Sequence, residues 1–172
     1  MDAKKVIGFH NPEEEYGFLS NWYLSDFRSH DVCYSSIEQY MMYQKAMLFQ
    51  DQEIAEQILQ TNQVAVIKAL GRKVKNYDES VWNGRRQIIV YRGLVEKFSQ
   101  NPELGKALIA TEDAILAECA VKDRIWGIGL SMWDEGRFDV QKWQGQNLLG
   151  YALMEVRDYM AAANTSDTAV CD

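Results

Sequence analysis

Apolar positions recur along this chain with two periods, and the change from one to the other orders its elements. Val6-Ile7-Gly8-Phe9 is a short apolar run that reads as a strand. The aromatic, turn-punctuated stretches 18–22 and 25–28 predict an early antiparallel region. From Ser36 the period lengthens to that of a helix. Helices are predicted over 36–49, 52–59 and 63–70, and a longer one over 78–98. The apolar face of this longer helix takes in Val81, Ile88, Val90, Leu94, Val95 and Phe98, and Gly84 and Gly93 interrupt it. Asn101-Pro102 opens a further helix, because proline suits a first turn, with Leu104, Leu108 and Ile109 facing inward. Residues 114–119 read as a strand, 123–130 as the loop or strand end after it, and 147–162 as a closing helix. The pattern predicts an α+β fold, a compact single domain of several helices around a small sheet, over residues 1–163. Residues 164–172 form a polar tail, expected to fray.

Composition narrows the functional classes. The chain has 172 residues, 47% of them hydrophobic, which is enough for one sizeable core, and no Pro/Gly/Ser-rich linker divides it. No apolar run approaches the roughly 20 residues that cross a bilayer, and the polar start lacks a signal-peptide core, so a soluble cytoplasmic protein without membrane contact is expected. Cys33, Cys119 and Cys171 are odd in number and widely spaced, and His10 and His30 are the only histidines. Neither a disulfide framework nor a metal centre is indicated, and no cofactor is expected. The net charge of −7 opposes broad attraction to a nucleic-acid backbone. Positive charge nevertheless collects at Arg72, Lys73, Lys75, Arg85 and Arg86. That cluster suits a phosphate-bearing small ligand, or it is solvated charge at helix ends and loops.

Three segments carry candidate chemistry, each with a structural alternative. Ser35-Ser36-Ile37-Glu38-Gln39-Tyr40 puts Glu38 in the first turn of a helix, with Lys45 nearly two turns further on the same face. Ser35 with Glu38 also reads as a capping box that satisfies exposed backbone N–H groups. Asp123, Trp126, Gly127 and Gly129 form a pocket lip or a surface turn packed by tryptophan; a third glycine and the strand–helix frame of a dinucleotide fingerprint are missing. Trp82, near Arg85 and Arg86, can stack on a base beside a phosphate, or it fills the core.

Read in order, Phe18-Leu19-Ser20-Asn21-Trp22, Ser36 to Tyr40 with Gln44-Lys45, Gly71-Arg72, Trp82, Asp123 with Trp126-Gly127, and Asn147-Leu148-Leu149-Gly150 followed by Met154-Glu155-Val156-Arg157 resemble the NADAR family. The resemblance is to its YbiA-like N-glycosidases and spans about residues 6–159. It implies hydrolysis of the N-glycosidic bond between a ribose phosphate and a base. For bacterial members the implied substrates are early ribosylamino-pyrimidine phosphate intermediates of riboflavin biosynthesis. Other members remove ADP-ribose from guanine in nucleic acid.

The resemblance places Glu38, Trp82 and Asp123 at the catalytic centre. Departure of a base from C1′ builds oxocarbenium character, which calls for negative charge, a positioned water and a means of holding the leaving group. Glu38 is assigned to the water, Asp123 to transition-state charge or the ribose hydroxyls, and Trp82 to stacking on the base, with the two acids interchangeable. Lys45 would keep Glu38 ionised or hold a phosphate, and Asn21, Arg72, Trp126, Gly127 and Asn147 would complete the ligand envelope. The partner expected is a phosphoribosylated or ADP-ribosylated small molecule, with ADP-ribosylated single-stranded nucleic acid as the second reading. A ligand-binding module without turnover is the third, and intact Glu38 and Asp123 speak against it.

Overall fold

The computed structural model describes residues 5–168. Its elements run β1 (Val6–Phe9), β2 (Phe27–Ser29), β3 (Val32–Tyr34), α1 (Ile37–Leu48), α2 (Gln52–Leu59), α3 (Val64–Gly71), α4 (Glu79–Gln100), α5 (Pro102–Ile109), β4 (Ile115–Glu118) and α6 (Leu148–Thr168), with short 3-10 turns between some of them. The chain is therefore α+β, and it falls into two compact units. One comprises Asn21–Gln100; the other takes the segment up to Ser20 together with the chain from Asn101 onward. No helix among the described residues is long and apolar enough to cross a membrane.

In the Asn21–Gln100 unit α1 packs against α2, α3 and α4. Its position in the middle explains why Ile37, Tyr40, Met41 and Ala46 are all buried. Two glycines let neighbours approach α1. A Cβ at Gly93 of α4 would lie 2.5 Å from the Tyr40 ring, and one at Gly71 of α3 would overlap the Met42 sulfur. The antiparallel pair β2–β3 turns through His30, whose φ of 52° is in the left-handed region. Tyr34 then packs edge-on against Tyr40, ring centroids 5.1 Å apart. The Gln100 side chain completes the outer edge of β2, accepting from Arg28 N and donating to Arg28 O, both at 2.7 Å.

The other unit is built on a parallel pair, β1 with β4, in the register Val6 to Ile115 and Phe9 to Glu118. Helix α6 covers β4, and α5 packs on α6. Arg157 of α6 is buried, and its Nη1 donates to Thr111 Oγ1 at 3.0 Å and to Ala114 O at 2.8 Å, tying the helix to the chain that enters β4.

Three sequence expectations change. Within 18–22 the chain forms a 3-10 turn, Gly17–Leu19, and the antiparallel pair lies further on in β2 and β3. The buried face of α4 is Trp82, Ile89, Val90, Gly93, Leu94, Lys97 and Phe98, whereas Val81 and Ile88 are exposed. A glycine and a lysine inside that face hid it from a count of apolar positions. Helix α6 continues past Ala162 to Thr168, into the stretch expected as tail, through the strong helix formers Ala161, Ala162 and Ala163. The end of the expected tail, with Cys171, lies outside the described residues.

Candidate active site

The start of α1 decides what Glu38 does. Ser36, in extended backbone, is the N-cap, and its hydroxyl accepts from Gln39 N at 3.1 Å. The side chain that reaches back is that of Gln39, whose Oε1 accepts from Ser35 N at 2.7 Å and from the Ser35 hydroxyl at 3.1 Å. Its Nε2 donates to Ile58 O at 3.0 Å and Thr61 O at 2.8 Å. The cap thus sits one residue later than the Ser35–Glu38 box, and the structural task belongs to Gln39. Glu38 is buried in the first turn, where the helix dipole favours a carboxylate. Its backbone N–H donates to Asn21 O at 2.9 Å. Asn21 is itself buried, and its Oδ1 has no hydrogen-bond partner among the described residues.

Lys45 gathers the rest of this set. Its ammonium donates to Gly71 O at 2.8 Å, lies 4.4 Å from the centroid of the Tyr77 ring and 5.8 Å from that of Trp82. Partial burial lowers the Lys45 pKa, and Glu38 acts on it in the opposite sense. A carboxylate, a partly desolvated cation and a buried indole are therefore brought together by α1, the end of α3 and the start of α4. Arg72 follows Gly71 at the surface. No local pattern points to Tyr77, which precedes α4 and shares no helical period with Trp82. Its hydroxyl pKa is raised, first by burial and then by Glu79, with Arg86 opposing. The basic cluster is divided: Lys75 pairs with Glu53 at 3.0 Å in solvent, while Arg86 is half-buried with an Nε that no partner among the described residues satisfies.

The remaining expected site residues belong to the β1–β4 unit. Asp123 Oδ1 accepts from Ile125 N at 3.0 Å and Trp126 N at 2.9 Å, an Asx turn that presents a half-buried tryptophan. Gly127 is required where it stands, since a Cβ there would lie 2.8 Å from both Asp123 O and Glu118 O. Asn147, expected as a ligand contact, is fully buried at a φ of 53°. Its Oδ1 accepts from Glu118 N at 3.0 Å and its Nδ2 donates to Leu116 O at 2.8 Å, so both ends of its amide are committed to the β4 backbone. It is a strut that holds the strand.

A depression of about 810 Å³ in the Asn21–Gln100 unit lies along residues 26–28, 33–35, 39, 59–63 and 100, and none of the expected site residues lines it. Its only opposed charges, Asp26 and Arg28, are exposed and screened by water, so the buried set around Lys45 has the stronger claim to chemistry. No group of three metal-ligating side chains occurs among the described residues.

Comparison with known proteins adds to this geometry. The family model described as the NADAR domain matches residues 8–161. The chain is 36% identical over 166 residues to an N-glycosidase of Acanthamoeba polyphaga mimivirus, an alignment covering 92% of this chain and 98% of that protein. It is 33% identical over 155 residues to a riboflavin biosynthesis protein of Vibrio vulnificus, covering 90% of this chain and 38% of that longer protein. The NMR structure of the E. coli protein YbiA is similar with a TM-score of 0.79 at 27% identity, covering 96% of this chain and 90% of that one.

Proposed function

The chain belongs to the NADAR family, and from that premise we propose that it is an N-glycosidase acting on the bond between ribose 5-phosphate and a pyrimidine base in early riboflavin-biosynthesis intermediates. The observation that carries this reading is the Lys45-centred set: a buried carboxylate in a helix first turn, an ammonium whose pKa burial has lowered, and a buried indole. The relatives named above support the class, since one is called an N-glycosidase and another a riboflavin biosynthesis protein.

Cleavage at C1′ separates a ribosyl cation from a base. Glu38 orients the water and takes its proton as oxygen bonds to C1′. Lys45 keeps Glu38 ionised and offers positive charge to the phosphate, with Arg72 at the surface beside it. Trp82 and Tyr77 supply aromatic faces for a base. Asn21 Oδ1, a buried acceptor, suits a ribose hydroxyl or a base N–H, because an unmet acceptor is costly until a ligand donor meets it. Asp123 is the second carboxylate the resemblance brings to the reaction. Its Oδ1 is committed to its own turn.

One incubation series tests the reading. The protein is offered the two ribosylamino-pyrimidine phosphates, an oligonucleotide carrying ADP-ribosylated guanosine, and ADP-ribose, and products are followed by mass. Release of ribose 5-phosphate and free pyrimidine is expected. Recovery of unmodified guanine instead would replace this reading with that of an ADP-ribosyl hydrolase, and binding without any product would make the protein a ligand-binding module.

A further inference from the structure

Of the basic residues that collect between 72 and 86, Arg86 alone is held partly inside the fold, and the mechanism above gives it no task. It stands four residues after Trp82 on α4, one helical turn along the same face, where side chains are neighbours. The Lys45 ammonium is 5.8 Å from the centroid of the Trp82 ring and 4.4 Å from that of Tyr77. Arg86 bears on Tyr77 as well, since its charge opposes the rise in the hydroxyl pKa. Two cations, Lys45 and Arg86, therefore neighbour the same two rings, all within the Asn21–Gln100 unit.

A solvated surface charge does not account for Arg86. Arg85, beside it in the chain, is exposed, and Lys75 is spent on Glu53. Arg86 instead buries its Nε, and that N–H has no acceptor among the described residues. A buried donor left unmet costs free energy, which a solvated arginine avoids. The terminal nitrogens are not enclosed with it, and no hydrogen bond or ion pair to a described residue takes them up. Asp78 and Glu79 bring negative charge near Tyr77. The Asp78 carboxylate caps α4 through Val81 N at 2.9 Å, however, and neither acid closes an ion pair with Arg86. The chain carries 25 acidic residues, yet the fold leaves this fork open.

We propose that Arg86 is the specificity-determining residue for a 5-phosphoryl group on the ribose of the substrate, which its two terminal nitrogens bind end-on. The proposal deepens the N-glycosidase reading and rests on it for the identity of the ligand. A planar fork matches two phosphoryl oxygens bidentately, whereas an ammonium serves the same group as a point charge. Lys45 supplies the second charge from α1, and Arg86 supplies the geometry. An unphosphorylated riboside leaves the fork in water and forgoes those bonds. The phosphoryl group takes no part in cleavage at C1′, so Arg86 acts on binding and selection rather than on the chemical step. A terminal phosphate and the inner phosphate of an ADP-ribosyl group offer the same chemistry, and the experiment separates them.

The test is calorimetric titration of wild type, Arg86→Gln, Arg86→Lys and Arg85→Gln with ribose 5-phosphate, ADP-ribose and ribose, beside turnover of a ribosylamino-pyrimidine 5′-phosphate. Wild type should bind ribose 5-phosphate well ahead of ribose. Arg86→Gln should weaken ribose 5-phosphate roughly 10- to 100-fold through the loss of charge-assisted bonds. It should raise KM by a similar factor with a smaller change in kcat. Arg86→Lys should fall between, because charge returns without the fork. Arg85→Gln removes the same charge from the exposed neighbour and should change binding by no more than about twofold. Thermal unfolding separates loss of the site from loss of the fold, and Arg86→Lys, which keeps an aliphatic stem, carries the comparison if Arg86→Gln does not fold. Ribose bound as tightly as ribose 5-phosphate by wild type overturns the phosphoryl site. So do affinities for both phosphorylated ligands unchanged in the Arg86 variants, or equal losses in Arg85→Gln and Arg86→Gln; product release by wild type would then leave the N-glycosidase reading standing. Dependence on Arg86 for ADP-ribose alone keeps the site and assigns its phosphoryl group to a diphosphate, against a ribose 5-phosphate substrate. Arg86-dependent binding of ribose 5-phosphate by a wild type that releases no product keeps the site and overturns the N-glycosidase reading.

Discussion

Glu38 and Gln39 are adjacent, both buried, and divide two kinds of work between them. Gln39 spends both ends of its amide on four protein groups, so its free energy goes into holding the start of α1 against the chain after α2. Glu38 sits in the same turn, and the Lys45 cation responds to it. Lys97 shows what burial does to a cation elsewhere in the same unit. It has 0% exposure, its ammonium lies 5.0 Å from the Phe98 ring and 5.3 Å from that of Tyr23, and burial lowers its pKa to about 7. Above that pH the folded lysine is neutral, while the unfolded chain keeps its proton to near 10.5. The unfolded state then binds more protons, and stability rises with pH. Urea unfolding between pH 6.5 and 9 should show wild-type stability climbing relative to Lys97→Met. A constant difference across that range would mean that Lys97 titrates normally.

At the scale of elements, α4 is the informative case. Its two glycines look alike in the sequence, yet nothing lies within 4 Å of a Cβ built at Gly84, while one at Gly93 meets the Tyr40 ring at 2.5 Å. Gly84→Ala should therefore stabilise the protein by about 1 kcal/mol through helix propensity. Gly93→Ala should destabilise it by about 1–3 kcal/mol through overpacking against a ring that cannot fold aside. Chemical denaturation of both variants measures this directly, and effects of the same sign would contradict the packing described. The existence of the helices was legible from period alone, as 52–59 shows, because their apolar stripes and caps agree. The face of α4 was not, because its packing uses Gly93 for closeness and buries Lys97, neither of which counts as apolar. The true cap of α1 was hidden by two consecutive serines, Ser35 and Ser36, each followed three positions later by a residue able to complete a box.

For the whole molecule, the residue types of the candidate site stand in the sequence, and the arrangement of those within one unit comes only from the fold. Glu38, Lys45 and Trp82 were singled out from three separate segments, and the fold brings them around one ammonium. Tyr77 and the Gly71 carbonyl carry no local pattern and emerge only when distant segments meet. Asn147 carries a motif, and both ends of its amide brace β4; a motif records a fixed geometry as readily as a ligand contact. The central claim is that the carboxylate of Glu38 drives hydrolysis of an N-ribosidic bond. The most direct test is the single-turnover rate of ribose 5-phosphate release from a ribosylamino-pyrimidine 5′-phosphate, measured for wild type and Glu38→Gln with folding checked by circular dichroism. A loss of roughly 100- to 10,000-fold with an unchanged fold is the result expected of a lost general base; near-normal release by the folded Glu38→Gln protein would contradict the account.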